Sequence, residues 1–233
     1  MSEELKKRPG GSIPSRPLHF IWIVDCSGSM SGERIHALNY AVREAITVIR
    51  EAAKDHPECY VLMSTIKFSN GAEWVSAQPT SVDSYKWTDL RTDGVADMGK
   101  ALEMVAEQLK MPPMDARGLP PVLVLFSSIG PTDDFTAGLK ALMDQPWGQK
   151  AIRVAIAIGG NADLIPLQKF IGHAERKPLQ ANNLDAVVKA IKWSSTVVRK
   201  TSASRPSSGS SSSSVSDVPI PDPPVLDDGD DVW

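Results

Sequence analysis

The chain has 233 residues and is 42% hydrophobic, enough for one domain with a sizeable core plus flanking segments. Its net charge of −3 is uneven: beyond Thr201 six aspartates against Arg205 give −5, which leaves the first 200 residues near +2 and without the basic excess that drives nucleic-acid binding by counterion release. Two cysteines, Cys26 and Cys59, are too few for a disulfide framework; no apolar run nears the roughly 20 residues that span a bilayer, and the start M-S-E-E-L-K-K-R lacks a signal peptide's apolar core, so the expectation is a cytoplasmic protein.

Residues 1–16 are polar with Pro and Gly and read as a flexible lead. Leu18 to Val24 is a near-continuous apolar run, as in a strand buried on both faces. Residues 32–54 follow with Ile35, Leu38, Val42, Ala45, Ile46, Ile49 and Ala52, one apolar stripe of a helix. Cys59 to Phe68 reads as a second strand, and Ala72 to Ser76 as a short third strand at an edge. Residues 77–96 show no period. A second helix starts near Asp97, a residue type suited to its N-cap, and stops at Pro112 and Pro113.

P-V-L-V-L-F-S-S at 121–128 is the next buried strand. Thr132 is a candidate cap for a helix through Leu142, and Ile152 to Ile158 is a further apolar strand. A short helix spans 161–171 and a last one about 184–199. Apolar strands alternating with helices predict an α/β fold: a doubly wound, mostly parallel central sheet with a short antiparallel edge strand and helices on both faces. Residues 17–199 form this domain. Residues 200–233 combine a Ser-rich linker with an acidic, Pro-rich tail, a composition that predicts disorder.

The stretch D-C-S-G-S at 25–29 ends the first strand, and ligands of open parallel sheets gather at strand carboxyl ends. Asp25, Ser27 and Ser29 put one carboxylate and two hydroxyls on one turn, hard oxygen donors suited to Mg2+ or Mn2+. Gly28 lets that turn be tight.

With these residues in place the chain resembles the von Willebrand factor A (VWA) family. D-x-S-x-S is that family's metal-ion-dependent adhesion site, G-V-A-D-M-G-K-A-L at 94–102 looks like its second metal loop, and L-F-S-S-I-G-P-T-D-D at 125–134 like its third. The P-T-D-D ending is similar to the bacterial TerY-type proteins of tellurite-resistance gene clusters. The resemblance implies a VWA (Rossmann-like) fold and a protein-binding role. It also implies candidate partners, since TerY-like proteins occur beside a Ser/Thr protein kinase and a PP2C-type phosphatase.

The departures from the family pattern fall on the metal. Ala96 stands where a threonine hydroxyl binds it, and Ser128 and Ile129 stand where an aspartate and a glycine are usual. Losing one supporting partner alone costs about 10- to 100-fold in metal affinity. Asp97 and Asp133 are the available substitutes, acting through water. The adhesion site is therefore expected to be degenerate, with no cofactor required and any Mg2+ or Mn2+ held weakly. The other reading of Asp25, Ser27 and Ser29 is a hydrogen-bonded loop that satisfies N–H groups at the start of the first helix.

Catalytic readings find less support. A phosphohydrolase of the haloacid-dehalogenase type would use Asp25 as nucleophile, yet Ser27 occupies the place of the second acid it needs. His19, His36, His56 and His173 are too scattered for zinc and lack a supporting motif. The expectation is a non-enzymatic interaction module or scaffold in a bacterial stress-response or signalling complex. The alternative is an adaptor whose Ser-rich acidic tail is a kinase substrate and switch. In the tail, Ile220, Val225, Leu226, Val232 and Trp233 are apolar anchors amid acidic residues, the pattern of a docking peptide that suits a basic groove.

Overall fold

A computed structural model describes residues 15–55, 59–76, 78–203 and 222–226. Strand β1 (Arg16–Asp25) lies in the middle of a seven-stranded sheet, with β2 (Cys59–Ser69) on one side and β5 (Val122–Ser127) on the other, both parallel to it. Beyond β5 come β6 (Ile152–Ile158) and β7 (Leu179–Ala181), also parallel. Only β3 (Gly71–Trp74) and the two-residue β4 (Thr80–Ser81) run antiparallel, both along the outer edge of β2. The order β3-β2-β1-β5-β6-β7 is the mixed, mostly parallel sheet expected from the sequence.

Every residue of β1 after Arg16 is buried, because helices cover both faces. Leu18, Phe20, Trp22 and Val24 point to one face, where α1 (Glu33–Lys54) and α6 (Leu184–Ala203) pack. Ile21 and Ile23 point to the other, toward α2 (Met98–Gln108), α3 (Phe135–Met143), α4 (Pro146–Lys150) and α5 (Leu164–Ile171). The two-residue side-chain period of a strand splits one apolar run between two cores. Where α2 meets α3, a Cβ added to Gly138 would lie 2.2 Å from the Gly99 carbonyl oxygen. Both glycines are needed for that backbone approach.

The aperiodic stretch after β4 is held by a buried side chain of α1. Asn39 donates to the Leu90 carbonyl, while its own oxygen accepts from the Leu90 N–H and the Trp87 indole. Trp87 and Tyr85 then stack edge-on against Trp22.

Two expected helix caps are corrected. Asp97 stands at the N-cap of α2, but its side chain caps nothing. The carboxylate of Asp133, reaching from the β5–α3 loop, accepts from Gly99 N and Lys100 N instead. Thr132 does not cap α3: Asp134 does, accepting from Ala137 N. The last helix also continues beyond 199, to Ala203. Strand β7 and helix α4 had no clear periodic signal, being only three and five residues long.

Candidate functional site: a serine-lined rim

Parallel strands β1 and β5 end side by side, so the loops that leave them meet at one edge of the sheet. Asp25 is fully buried at the end of β1. One of its oxygens accepts from the Ser27 N–H at 2.8 Å. The other accepts from the Ser128 N–H at 3.1 Å and lies 2.9 Å from the Ser127 hydroxyl. Ser127 can instead give its single proton to the Ile129 carbonyl, also at 2.9 Å.

Above this carboxylate three hydroxyls form a chain. Ser27 Oγ is 2.7 Å from Ser29 Oγ, which is 2.7 Å from Ser128 Oγ. Asp25, Ser27 and Ser29 are thus brought together as the sequence implied. Ser128, standing where the family carries an aspartate, joins them. Ser127 and Arg34, neither of them part of the D-x-S-x-S motif, complete the surroundings. Ser127 follows a buried run as Asp25 does, a signal that could have found it. Arg34, whose guanidinium donates to the Ser29 carbonyl at 2.9 Å, sits on an ordinary helix face and gave none.

The second loop closes over the first through its backbone. Asp93 N donates to the Cys26 carbonyl at 2.7 Å and Gly28 N to the Gly94 carbonyl at 3.0 Å. Ala96 is fully buried and contributes no hydroxyl. Asp97 and Asp133, the two candidates for water-mediated support, have structural work elsewhere. Asp97 accepts from Gly71 N and the Thr132 hydroxyl, and Asp133 caps α2.

Does this donor set fit a divalent cation? Separations of 2.7 Å do not decide it. Mg2+ holds oxygens at about 2.0–2.1 Å, so adjacent octahedral ligands sit roughly 2.9 Å apart, close to hydrogen-bond spacing. Charge decides it. Three neutral hydroxyls surround one carboxylate whose two oxygens already take N–H and O–H donors, and among the described residues no group of three acidic, His or Cys side chains converges. Mg2+ gives up its waters reluctantly, and this set offers little charge in exchange. The residues fit the ion poorly.

Cys26 lies beneath the rim and is buried. Burial, then the neighbouring Asp25 charge, pushes its thiol pKa up to about 12. A thiol held protonated is a poor nucleophile and metal ligand, in keeping with a packing role.

The rim carries exposed apolar side chains. Val95 is 46% and Ile129 43% exposed, one on each loop flanking the serines. Ile165, at the start of α5 on the same end of the sheet, is 67% exposed. Of the anticipated tail anchors, Val225 is exposed and Leu226 packs against the core, while Ile220, Val232 and Trp233 lie outside the described residues. Among the described residues no helix is long and apolar enough to cross a membrane.

The fold is that of the von Willebrand factor A domain, and solved structures show it. A von Willebrand factor type A protein from Catenulispora acidiphila superposes with a TM-score of 0.58 at 15% identity, covering 80% of this chain and 43% of that one. The pilus adhesin SpaC from Lactobacillus rhamnosus GG does so with 0.62 at 15% identity, over 79% of this chain and 31% of that one. Proximal thread matrix protein 1 from the mussel byssus, with a zinc-occupied MIDAS motif, gives 0.58 at 12% identity, over 81% and 48%. This chain therefore spans less than half the length of each. No family model and no curated protein matches the sequence.

Proposed function

We propose that the domain is a non-enzymatic protein-interaction module that binds its partner through the serine-lined rim without a metal ion. One observation carries the reading. The hydroxyls of Ser27, Ser29 and Ser128 are bonded to one another over a carboxylate that is itself engaged, and exposed Val95 and Ile129 flank them. In the intact family site a partner's carboxylate completes the metal's ligands. Here the rim offers hydroxyls and the Arg34 guanidinium framed by apolar side chains, a pattern suited to a partner with polar groups and an apolar anchor. SpaC, part of which shares this fold, is a pilus adhesin. The resemblance of P-T-D-D at 131–134 to TerY-type proteins supports a bacterial stress-response or signalling complex with a Ser/Thr kinase and a PP2C-type phosphatase.

The test is binding of the full chain to the cognate kinase and phosphatase in EDTA, with Val95→Asp and Ile129→Asp as rim variants. The reading expects capture in EDTA and its loss in the double variant, whose far-UV circular dichroism stays native. Capture that requires Mg2+, or that ignores both substitutions, contradicts it. Turnover of a phosphoester such as p-nitrophenyl phosphate, abolished by Asp25→Asn, would place the chain among hydrolases instead.

A further inference from the structure

The far end of the sheet carries a second surface that the rim does not use. Strand β7 pairs with β6 only from Leu179, opposite Ile156. The first half of β6, Ile152 to Ala155, therefore has β5 on one side and, among the described residues, no strand on the other. A groove of about 320 Å³ lies along this uncovered edge. Val154, Leu179 and Trp193 are among its lining, together with Arg153, Arg176 and Lys177 and the acid Glu175.

The cations lack anionic partners. Arg153 spends its guanidinium on neutral acceptors: the Ile171 carbonyl at 3.3 Å, the Gly148 carbonyl at 3.1 Å and the Met143 sulfur at 2.7 Å. Among the described residues, none of Arg153, Arg176 and Lys177 has a carboxylate within ion-pair distance. A half-buried guanidinium solvated by carbonyls gains from a nearby anion.

One segment of the tail already closes one side of the groove. Asp222 and Pro223 line it. The Trp193 indole N–H donates to the Asp222 carbonyl at 2.9 Å, and Leu226 packs against the core cluster that holds α6. The surrounding sequence, D-P-P-V-L-D-D-G-D-D from 222, has five aspartates and no base. Its net charge is opposite in sign to the groove's, an attraction that acts at a distance and not through an ion pair of Asp222, and its prolines lower the entropy lost on docking.

We propose that the surface bordering this groove is the seat of the chain's own acidic, Pro-rich tail, bound in cis through residues 222–226. The tail is thus a latch on its own domain. A partner with a similar acidic, Pro-rich peptide must displace it. A tether of this kind presents its end at on the order of 1 mM, so a free peptide with an intrinsic Kd of about 0.1 mM is weakened about 10-fold by the latch. This inference is independent of how the rim works.

The test uses the full chain and a fluorescein-labelled peptide of residues 217–233, followed by anisotropy. Leu226→Asp combined with Pro223→Gly loosens the latch in the chain. The labelled wild-type peptide is expected to bind this loosened chain about 10-fold more tightly than the wild-type chain, and less tightly as salt is raised. Adding Arg176→Glu and Lys177→Glu should abolish binding, and Trp193→Phe should weaken it with the fold intact. In the unliganded chain the Trp193 indole resonance, seen by 15N NMR, should move when the latch is loosened. Equal peptide binding to both chains, no binding to the loosened chain, or an unmoved Trp193 resonance overturns the proposal. So does a wild-type dimer, seen by sedimentation, that dissolves on loosening, since the tail would then be seated on a second copy.

Discussion

Replacing Asp25 by Asn asks what the buried carboxylate is for. It accepts from Ser27 N–H on one oxygen and from Ser128 N–H and the Ser127 hydroxyl on the other. An amide has one oxygen to offer. Turned toward Ser127 and Ser128, it leaves its NH2 facing the Ser27 N–H, a buried donor against a donor. Leaving such a group unsatisfied costs about 1–3 kcal/mol. The two surviving bonds lose their charge assistance, about 1 kcal/mol each. Relief from burying a charge offsets part of this, so the net expectation is a loss of about 2–4 kcal/mol. With a urea m-value of about 2–3 kcal/mol/M, the unfolding midpoint falls by roughly 1 M. The fall should be the same in EDTA and in 5 mM Mg2+, a concentration above the roughly 0.1–1 mM at which weak extracellular Ca2+ modules fill. An Asp25→Asn chain as stable as the wild type in EDTA, with a deficit that opens only when Mg2+ is added, refutes the reasoning: the carboxylate would then be waiting for an ion.

Other consequences follow from burial. His19 is only 6% exposed, its Nδ1 has no hydrogen-bond partner among the described residues, and burial pushes its pKa below the ordinary 6.5. The folded state therefore holds His19 neutral while the unfolded chain takes up a proton as pH falls through about 6.5. Stability should fall below that pH, and His19→Leu should flatten the dependence in urea titrations from pH 7.5 to 5. Cys26, with its thiol pKa pushed up to about 12, should ignore a disulfide-exchange reagent at pH 8 in a Cys59→Ser background and react only on unfolding. Gly138→Ala forces a methyl to 2.2 Å from the Gly99 carbonyl oxygen, and should cost about 1–3 kcal/mol as α3 is pushed off α2.

Much of this architecture is written in local pattern. Continuous apolar runs such as Phe20 to Val24 and Val122 to Phe126, short and β-branched or aromatic, read as strands covered on both sides, and the stripe from Ile35 to Ala52 reads as a helix with one buried face. The motif made Asp25, Ser27 and Ser29 legible as one turn, and the resemblance of 125–134 to the family's third loop implied Ser128 beside them, where the pairing of β1 with β5 puts it. What was not legible is who bonds to whom across loops. Asp97 looked like a cap because it precedes a helix, yet Asp133, distant in sequence, reaches its free N–H groups first. The hold of Asn39 on the 85–90 loop has the same character, since nothing in N-Y-A-V at 39–42 announces it. The seat of Leu226 against the core is also tertiary: the sequence marked it as an anchor and expected another protein's groove to receive it.

A rim that stands and binds without a metal should be silent to Mg2+ and Mn2+. Isothermal titration of the full chain with MgCl2 and with MnCl2 decides this, using protein first stripped with EDTA and then dialysed free of it. No saturable heat tighter than about millimolar is expected for either ion, the weak regime that a site with one engaged carboxylate implies. Micromolar binding that disappears in Asp25→Ala contradicts a metal-free rim.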